Sequence, residues 1–257
     1  MTRRSREVGI IKSFVLGAAV AAALAMPAQA AEKKLNLSAT AVFTTDYVFR
    51  GITQTAEGPA AQPEFDLTYG IFYAGIWGSN LDFGGGPFGQ DIASIEIDYY
   101  AGITPIWKGI TFNIGGIYYT YPGYCEAACG LAEPDYFELK TGASYTFAQK
   151  LTVGITNYWS PEFTGKTGDA DALELSAAYA FGGKIFNFFS PSISGLIGWQ
   201  WVDELDDYTY WNVGLTLGFM DHWSADVRYW DTDSLACPNS GVGACDGRVV
   251  GTIKAVY

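Results

Sequence analysis

Apolar and polar residues alternate along this chain with a period of two, in one segment after another. Leu35, Leu37, Ala39, Ala41 and Phe43 fall on one side of an extended strand, against Asn36, Ser38 and Thr40. The pattern runs on through Tyr47 and Phe49, opposite Asp46 and Arg50. Side chains alternate faces along a strand, so each such run has one apolar and one polar face. Phe65, Leu67 and Tyr69 oppose Glu64, Asp66 and Thr68; Ile95, Ile97 and Tyr99 oppose Glu96 and Asp98; Phe137 and Leu139 oppose Glu138 and Lys140. Comparable runs begin at Ile110, Leu151, Leu173, Ile193, Trp211 and Trp223, and a Gly-rich, less regular one spans Phe72 to Asn80. In the last segment, Val249, Gly251, Ile253, Ala255 and Tyr257 share one side and Arg248, Thr252 and Lys254 the other, with Val250 and Val256 as exceptions. The count is twelve predicted strands, each of about 9–11 residues, the length a tilted strand needs to cross hydrocarbon.

The connections alternate short and long. Short ones lie near Gly70 and at 104–109, 148–150, 182–191 and 220–222. Long ones lie at 51–62, 80–91, 122–135, 160–171 and 231–247, and 202–207 is shorter but strongly acidic. Bacterial outer-membrane barrels combine an even strand number with short periplasmic turns and longer outer loops. The expected fold is therefore all-β, a transmembrane antiparallel barrel of twelve strands with both termini on the periplasmic side. A soluble sandwich requires neither this rhythm nor an apolar face on every strand.

Residues 1–30 read as a secretory signal and leave the fold argument. Arg3, Arg4, Arg6 and Lys12 precede an apolar run from Phe14 to Met26, and Ala28-Gln29-Ala30 is an A-x-A cleavage site. That run of 13 residues falls short of the roughly 20 a spanning helix needs. Residues 31–257 are then one barrel domain. Removing residues 1–30, with four bases and one acid, leaves 227 residues carrying 11 bases and 26 acids. That balance disfavours nucleic-acid binding, which draws on Lys and Arg. Phe, Trp and Tyr together number 41 and Gly 31, and no later apolar run has helical spanning length. Such a chain spans a membrane as a closed barrel or not at all.

Acids and bases are segregated as well. The long loops hold 16 acids and one base, Lys166, whereas the short turns and residues 31–34 hold five bases (Lys33, Lys34, Lys108, Lys150, Lys184) and two acids. Hydrophilic loops by themselves do not predict separation by sign.

Several motifs sit on this pattern: Thr44-Thr45-Asp46-Tyr47-Val48-Phe49-Arg50-Gly51 followed by Gln54-Thr55, then Gly75-Ile76-Trp77-Gly78-Ser79-Asn80-Leu81-Asp82-Phe83. Others are Glu96 to Gly102, Tyr136 to Leu139, Ser160-Pro161-Glu162-Phe163 and Tyr229 to Asp233. Together they resemble the TorF-type porin family of proteobacteria, conserved outer-membrane proteins of unknown function. The resemblance runs along essentially all of residues 31–257 and implies an outer-membrane barrel with a pore role. Tyr257, a terminal aromatic on an alternating strand, is similar to the closing residue of such barrels. It is the expected C-terminal assembly signal, with the barrel-assembly machinery as its partner.

The polar strand faces carry Asp46, Arg50, Glu64, Asp66, Glu96, Asp98, Glu138, Lys140, Glu174, Asp226, Arg228, Arg248 and Lys254. In a barrel these line the lumen. One consequence is a pore wall that favours cations, because a low-dielectric wall focuses the carboxylate field. The bland alternative is a lumen laced shut by ion pairs, since buried charges must be paired. The tryptophans mostly lie near segment ends, as in interface girdles; Trp230 shares a polar face with Asp226 and Arg228 and is expected to point inward alone. Cys125 with Cys129 and Cys237 with Cys245 form two local pairs in long loops of an exported chain, so disulfides are expected.

Nothing marks an enzyme, a cofactor or a metal site. His222, the only histidine, lies in a short turn without a nearby nucleophile. The acidic runs at 203–207 and 231–233 do not have EF-hand spacing. The expected function is an outer-membrane channel for passive diffusion of small polar or cationic solutes. The alternative is a non-conducting barrel whose acidic loops bind a surface partner or divalent cations bridging lipopolysaccharide.

Overall fold

An isolated strand leaves backbone donors and acceptors unpaired along both edges, and in hydrocarbon every one must be satisfied within the protein. The computed structural model of the protein describes residues 34–84, 92–125, 132–233 and 244–257. In it, twelve long strands meet this demand by closing on one another. They are β1 (Leu35–Thr44), β2 (Ala60–Tyr69), β3 (Phe72–Asn80), β4 (Ile95–Ile103), β5 (Ile110–Thr120) and β6 (Tyr136–Phe147). The second half comprises β7 (Leu151–Ser160), β8 (Ala170–Ala180), β9 (Ser190–Val202), β10 (Tyr208–Phe219), β11 (Trp223–Thr232) and β12 (Arg248–Val256). Each strand pairs antiparallel with its sequence neighbours, and β12 returns to β1 with Thr40 opposite Val256 and Thr44 opposite Thr252. The last residue joins this seam, because Ala39 and Tyr257 exchange two backbone hydrogen bonds of 2.8 and 2.9 Å. The twelve-strand antiparallel barrel read from alternation is thus the observed fold. The secretory signal and its cleavage site lie outside the described residues.

The apolar face of each strand points away from the barrel axis. Leu37, Phe43, Phe65, Leu215, Val227 and Val249 are each more than half exposed, as an outward band facing hydrocarbon requires. Trp107, Trp159, Trp201, Trp211 and Trp223 are exposed on this outer surface, near strand ends. Trp230 turns inward and packs on Val48 and Val250, so Val250, an exception to the alternation, has an interior partner. Trp77 also points inward, against the expectation that Trp230 does so alone, and it meets Tyr47 edge-on at 5.3 Å. Glycines at 75 and 78 hid the period of β3, which places Tyr73, Trp77 and Ser79 on the inner face.

Two connections depart from simple turns. Ile106–Trp107 pairs with Ile110 and Thr111 as a short extra strand. The connection at 182–191, read as a short turn, contains a miniature hairpin closed by an Ile185–Phe189 bridge.

Candidate functional site

The interior divides into two levels. β1 ends at Thr44, so Asp46 and Arg50 do not stand on a strand as the alternation implied. The chain leaves the wall at Thr45 and folds a tight hairpin into the lumen, with Val48 opposite Thr53 and Phe49 opposite Ile52. Its tip needs left-handed backbone at Arg50 (φ 47°) and Gly51 (φ 86°). Gly51 is required twice over: a Cβ there would lie 2.9 Å from the Thr232 Cβ and 3.0 Å from the Tyr210 Cβ, besides the unfavourable φ.

The hairpin reaches the far wall. Arg50 Nη1 donates to Glu138 Oε1 on β6 and to Gln200 Oε1 on β9, both at 2.8 Å, and Nη2 donates to Glu138 Oε2 at 2.8 Å. The guanidinium lies 5.0 Å from the ring centre of Tyr158 on β7 and 4.7 Å from that of Phe49. Tyr119 on β5 donates to the same carboxylate at 3.0 Å. Arg50 and Glu138 are both 1% exposed. A planar fork on a carboxylate with an aromatic face beside it is the geometry in which arginine, unlike lysine, is strongly held.

The base of the hairpin is tied to β12 and to itself. Asp46 pairs with Arg248 at 3.0 Å and accepts from the Thr53 and Thr55 hydroxyls. Arg248 also lies 3.5 Å from Glu57. Tyr47, Trp77, Tyr119, Tyr136 and Phe163 form one buried aromatic cluster beside the hairpin, with Tyr119 and Tyr136 stacked at 4.3 Å. Hairpin and aromatic cluster together occupy the outer level of the lumen.

Toward the periplasmic ends the interior changes character. Inward-facing residues of the outer level, such as Gln62, Ser79, Glu96 and Asp98, are buried, whereas Thr68, Tyr73, Asn113, Ser144, Ser176 and Ser192 below them are only half-buried. Tyr100 bridges Glu64 and Asp66 through its hydroxyl at 2.9 and 2.6 Å. Arg228 binds Asp226, Asn212 at 2.6 Å and Ser194 at 2.9 Å. Tyr73 donates to Asn113 at 2.7 Å.

Ion pairs take up Glu138, Asp226 and Asp46. Among the described residues no ion pair within 4.0 Å involves Glu64, Asp66, Glu96, Asp98 or Glu174, although Glu174 accepts from Tyr210 and Glu96 from Tyr121. Lys140 faces the Tyr158 ring at 5.7 Å, and Lys254 stands on β12, two strands from the Glu64–Asp66 pair. Four of the acids without an ion pair stand on β2 and β4 (Glu64, Asp66, Glu96, Asp98), where no base is interleaved. Nothing in the strand pattern announces the inserted hairpin. The closest signals are Arg50-Gly51, a turn pair inside an apparently continuous strand, and the specificity of the motif around it.

Outside the lumen, Asp169, Asp171, Asp203, Asp206 and Asp207 line an outer cleft of about 670 Å³. No group of three His, Cys, Asp or Glu among the described residues is arranged to hold a metal ion. Cys125 and Cys245 are each disulfide-bonded; Cys129 and Cys237 lie outside the described residues.

Comparison with known proteins agrees with this architecture. A family model described as "Bacterial protein of unknown function (Gcw_chp)" matches residues 28–254, and the chain belongs to that family. The fold is that of outer-membrane porin barrels. The structure resembles the KdgM porin with a TM-score of 0.55 at 9% identity, over 86% of this chain and 98% of that one. A "KdgM porin in complex with disordered oligogalacturonate" gives 0.54 at 8% identity, over 86% and 97%. No curated protein matches the sequence significantly.

Proposed function

We propose that this protein is a bacterial outer-membrane channel for small polar or cationic solutes, gated at its outer mouth by the 45–59 hairpin. The observation that carries the reading is the division of the lumen: one loop fills the outer level, and a half-buried polar chamber lies beneath it. Five lumenal acids without ion pairs support a preference for cations, because a low-dielectric wall strengthens their field. The acidic loops would raise the cation concentration at the mouth, and passage would follow when the hairpin swings off Glu138. The oligogalacturonate bound by a KdgM porin supports passage of polar chains through barrels of this shape. This lumen, with eight acids to five bases, suits a solute of the opposite sign.

The same reading places the chain in the outer membrane, with the signal cleaved after Ala30, Tyr257 recognised during barrel assembly, and local disulfides Cys125–Cys129 and Cys237–Cys245. It assigns the chain no catalysis and no cofactor. The test is planar-bilayer conductance in a salt gradient. Rare openings with a cation-selective reversal potential are expected; anion selectivity would overturn the solute class. One observation favours the alternative of a non-conducting barrel: the hairpin is held at both ends by buried ion pairs. Absence of any opening, even after the hairpin is removed, would establish that alternative.

A further inference from the structure

The inner rim carries an apolar projection that the channel reading does not use. Most inner turns are brief, but β8 and β9 continue past the rim into the hairpin around Phe186 and Asn187, both left-handed (φ 51° and 55°). Ile185 and Phe189 exchange backbone hydrogen bonds of 2.8 and 3.0 Å across it. Its tip is almost wholly apolar. Phe186 is 89% exposed, Ile185 46% and Phe188 40%, next to Met220 at 64%. An aromatic held in a left-handed turn and left in water has no structural reward, because a glycine or asparagine fits that backbone at lower cost.

Ring contacts say where the projection lies. Phe188 and Phe189 meet at 4.7 Å, and both approach Phe219 on β10, at 6.1 and 6.0 Å. Phe219 shares the outward parity of Trp211, Val213 and Leu215, so these rings continue the hydrocarbon-facing surface and do not cap the lumen. Phe181 and Tyr179, in edge contact at 5.2 Å, extend that surface along β8. The charges alongside are Lys150, whose Nζ lies by Gly182, and Lys184 in the hairpin, against Asp221 on the neighbouring turn.

We infer that the 182–189 hairpin is an interfacial anchor that inserts into the periplasmic leaflet of the membrane, its rings among the acyl chains and its lysines at anionic headgroups. Continuity with the lipid-facing band and the two flanking lysines together favour a phospholipid surface over a protein partner. The anchor sits on one side of the barrel only, so it would fix depth and tilt asymmetrically.

The full chain is to be refolded into phosphatidylethanolamine–phosphatidylglycerol vesicles with Phe186→Cys carrying a nitroxide, labelled without reductant. Folding is verified by the heat-modifiable gel shift. Asp206→Cys, in an outer loop, is the aqueous control, and Ile185→Cys replaces the first position if that variant does not fold. The expected result is a label at 186 severalfold more accessible to oxygen than to a water-soluble nickel chelate, with the ratio reversed at 206. Equal chelate access at 186 and 206 overturns the anchor and leaves the surface to a periplasmic protein. Because the readout is depth, it is independent of whether the barrel conducts.

Discussion

The outer and inner levels of this lumen are built by different means. The outer level is closed by sequence that is not strand: a fifteen-residue excursion, 45–59, folded inward onto an aromatic cluster and fixed by two buried ion pairs. The inner level is lined by the strands themselves, with serine, threonine and glycine between small networks around Tyr100 and Arg228. Closure is thereby concentrated in one loop, while the charge that would select solutes is spread along the wall. The two properties are separable by mutation, which a lumen laced shut by wall-to-wall pairs would not allow.

The most severe intervention removes the loop. Replacing Tyr47–Glu57 with a short Gly/Ser linker leaves β1 and β2 paired and removes the hairpin from the outer level, leaving Trp77, Tyr119, Tyr136 and Phe163 on the wall. Conductance is expected to rise at least about tenfold above the intact protein, equivalent to removing ~1.4 kcal/mol or more of bias toward the closed state. Unchanged conductance in a folded variant would mean that the inner level is also closed.

A smaller intervention is Arg50→Ala. It strands the Glu138 carboxylate at 1% exposure, and breaking a buried pair from one side costs about 3–5 kcal/mol. That energy comes out of the closed state, so openings in single-channel records should become on the order of a hundredfold more frequent. Arg228→Ala is the matched control in the inner level. It binds Asp226, Asn212 and Ser194, all on the strand wall, and its contacts include neither the hairpin nor Glu138. Opening frequency should not change there. If the two variants behave alike, the outer latch is not the gate.

The inner wall answers to selectivity instead. Glu64→Gln with Asp66→Asn removes two acids that share the Tyr100 hydroxyl and preserves their shape. The cation-to-anion permeability ratio is expected to fall by about two- to threefold as the local field weakens, read from the reversal potential, with opening frequency unaltered.

The strand-built wall was legible in the sequence and the inserted hairpin was not. A period of two records which side of a strand each residue faces. Inside or outside then reduces to parity, as at Glu64 beside Phe65 or Glu138 beside Phe137. The same parity misled at Asp46 and Arg50, because a loop that turns inward also alternates apolar and polar contacts. Tyr47 meets Trp77 while Asp46 meets Arg248, which imitates a strand for six residues past Thr44. Local pattern carries no information about a partner 88 positions away, and Arg50–Glu138 is such a contact. At 182–191 a run of phenylalanines read as a turn because its length was short, although its backbone makes a hairpin.

The mildest variant tests whether the two levels are independent at the seam. Tyr257 closes β12 on β1 at the inner rim, and its ring stacks on His222 with centroids 5.0 Å apart. Tyr257→Ala keeps both backbone hydrogen bonds to Ala39 and deletes only the ring contact, worth about 0.5–1.5 kcal/mol. A modest loss of folded protein is expected, measured as a lower urea midpoint for the heat-modifiable band. The molecules that do fold should open as often as the intact protein, because the ring touches neither the hairpin nor its latch. A change in opening frequency without a change in folding would tie the seam to the gate and dissolve the separation between the levels.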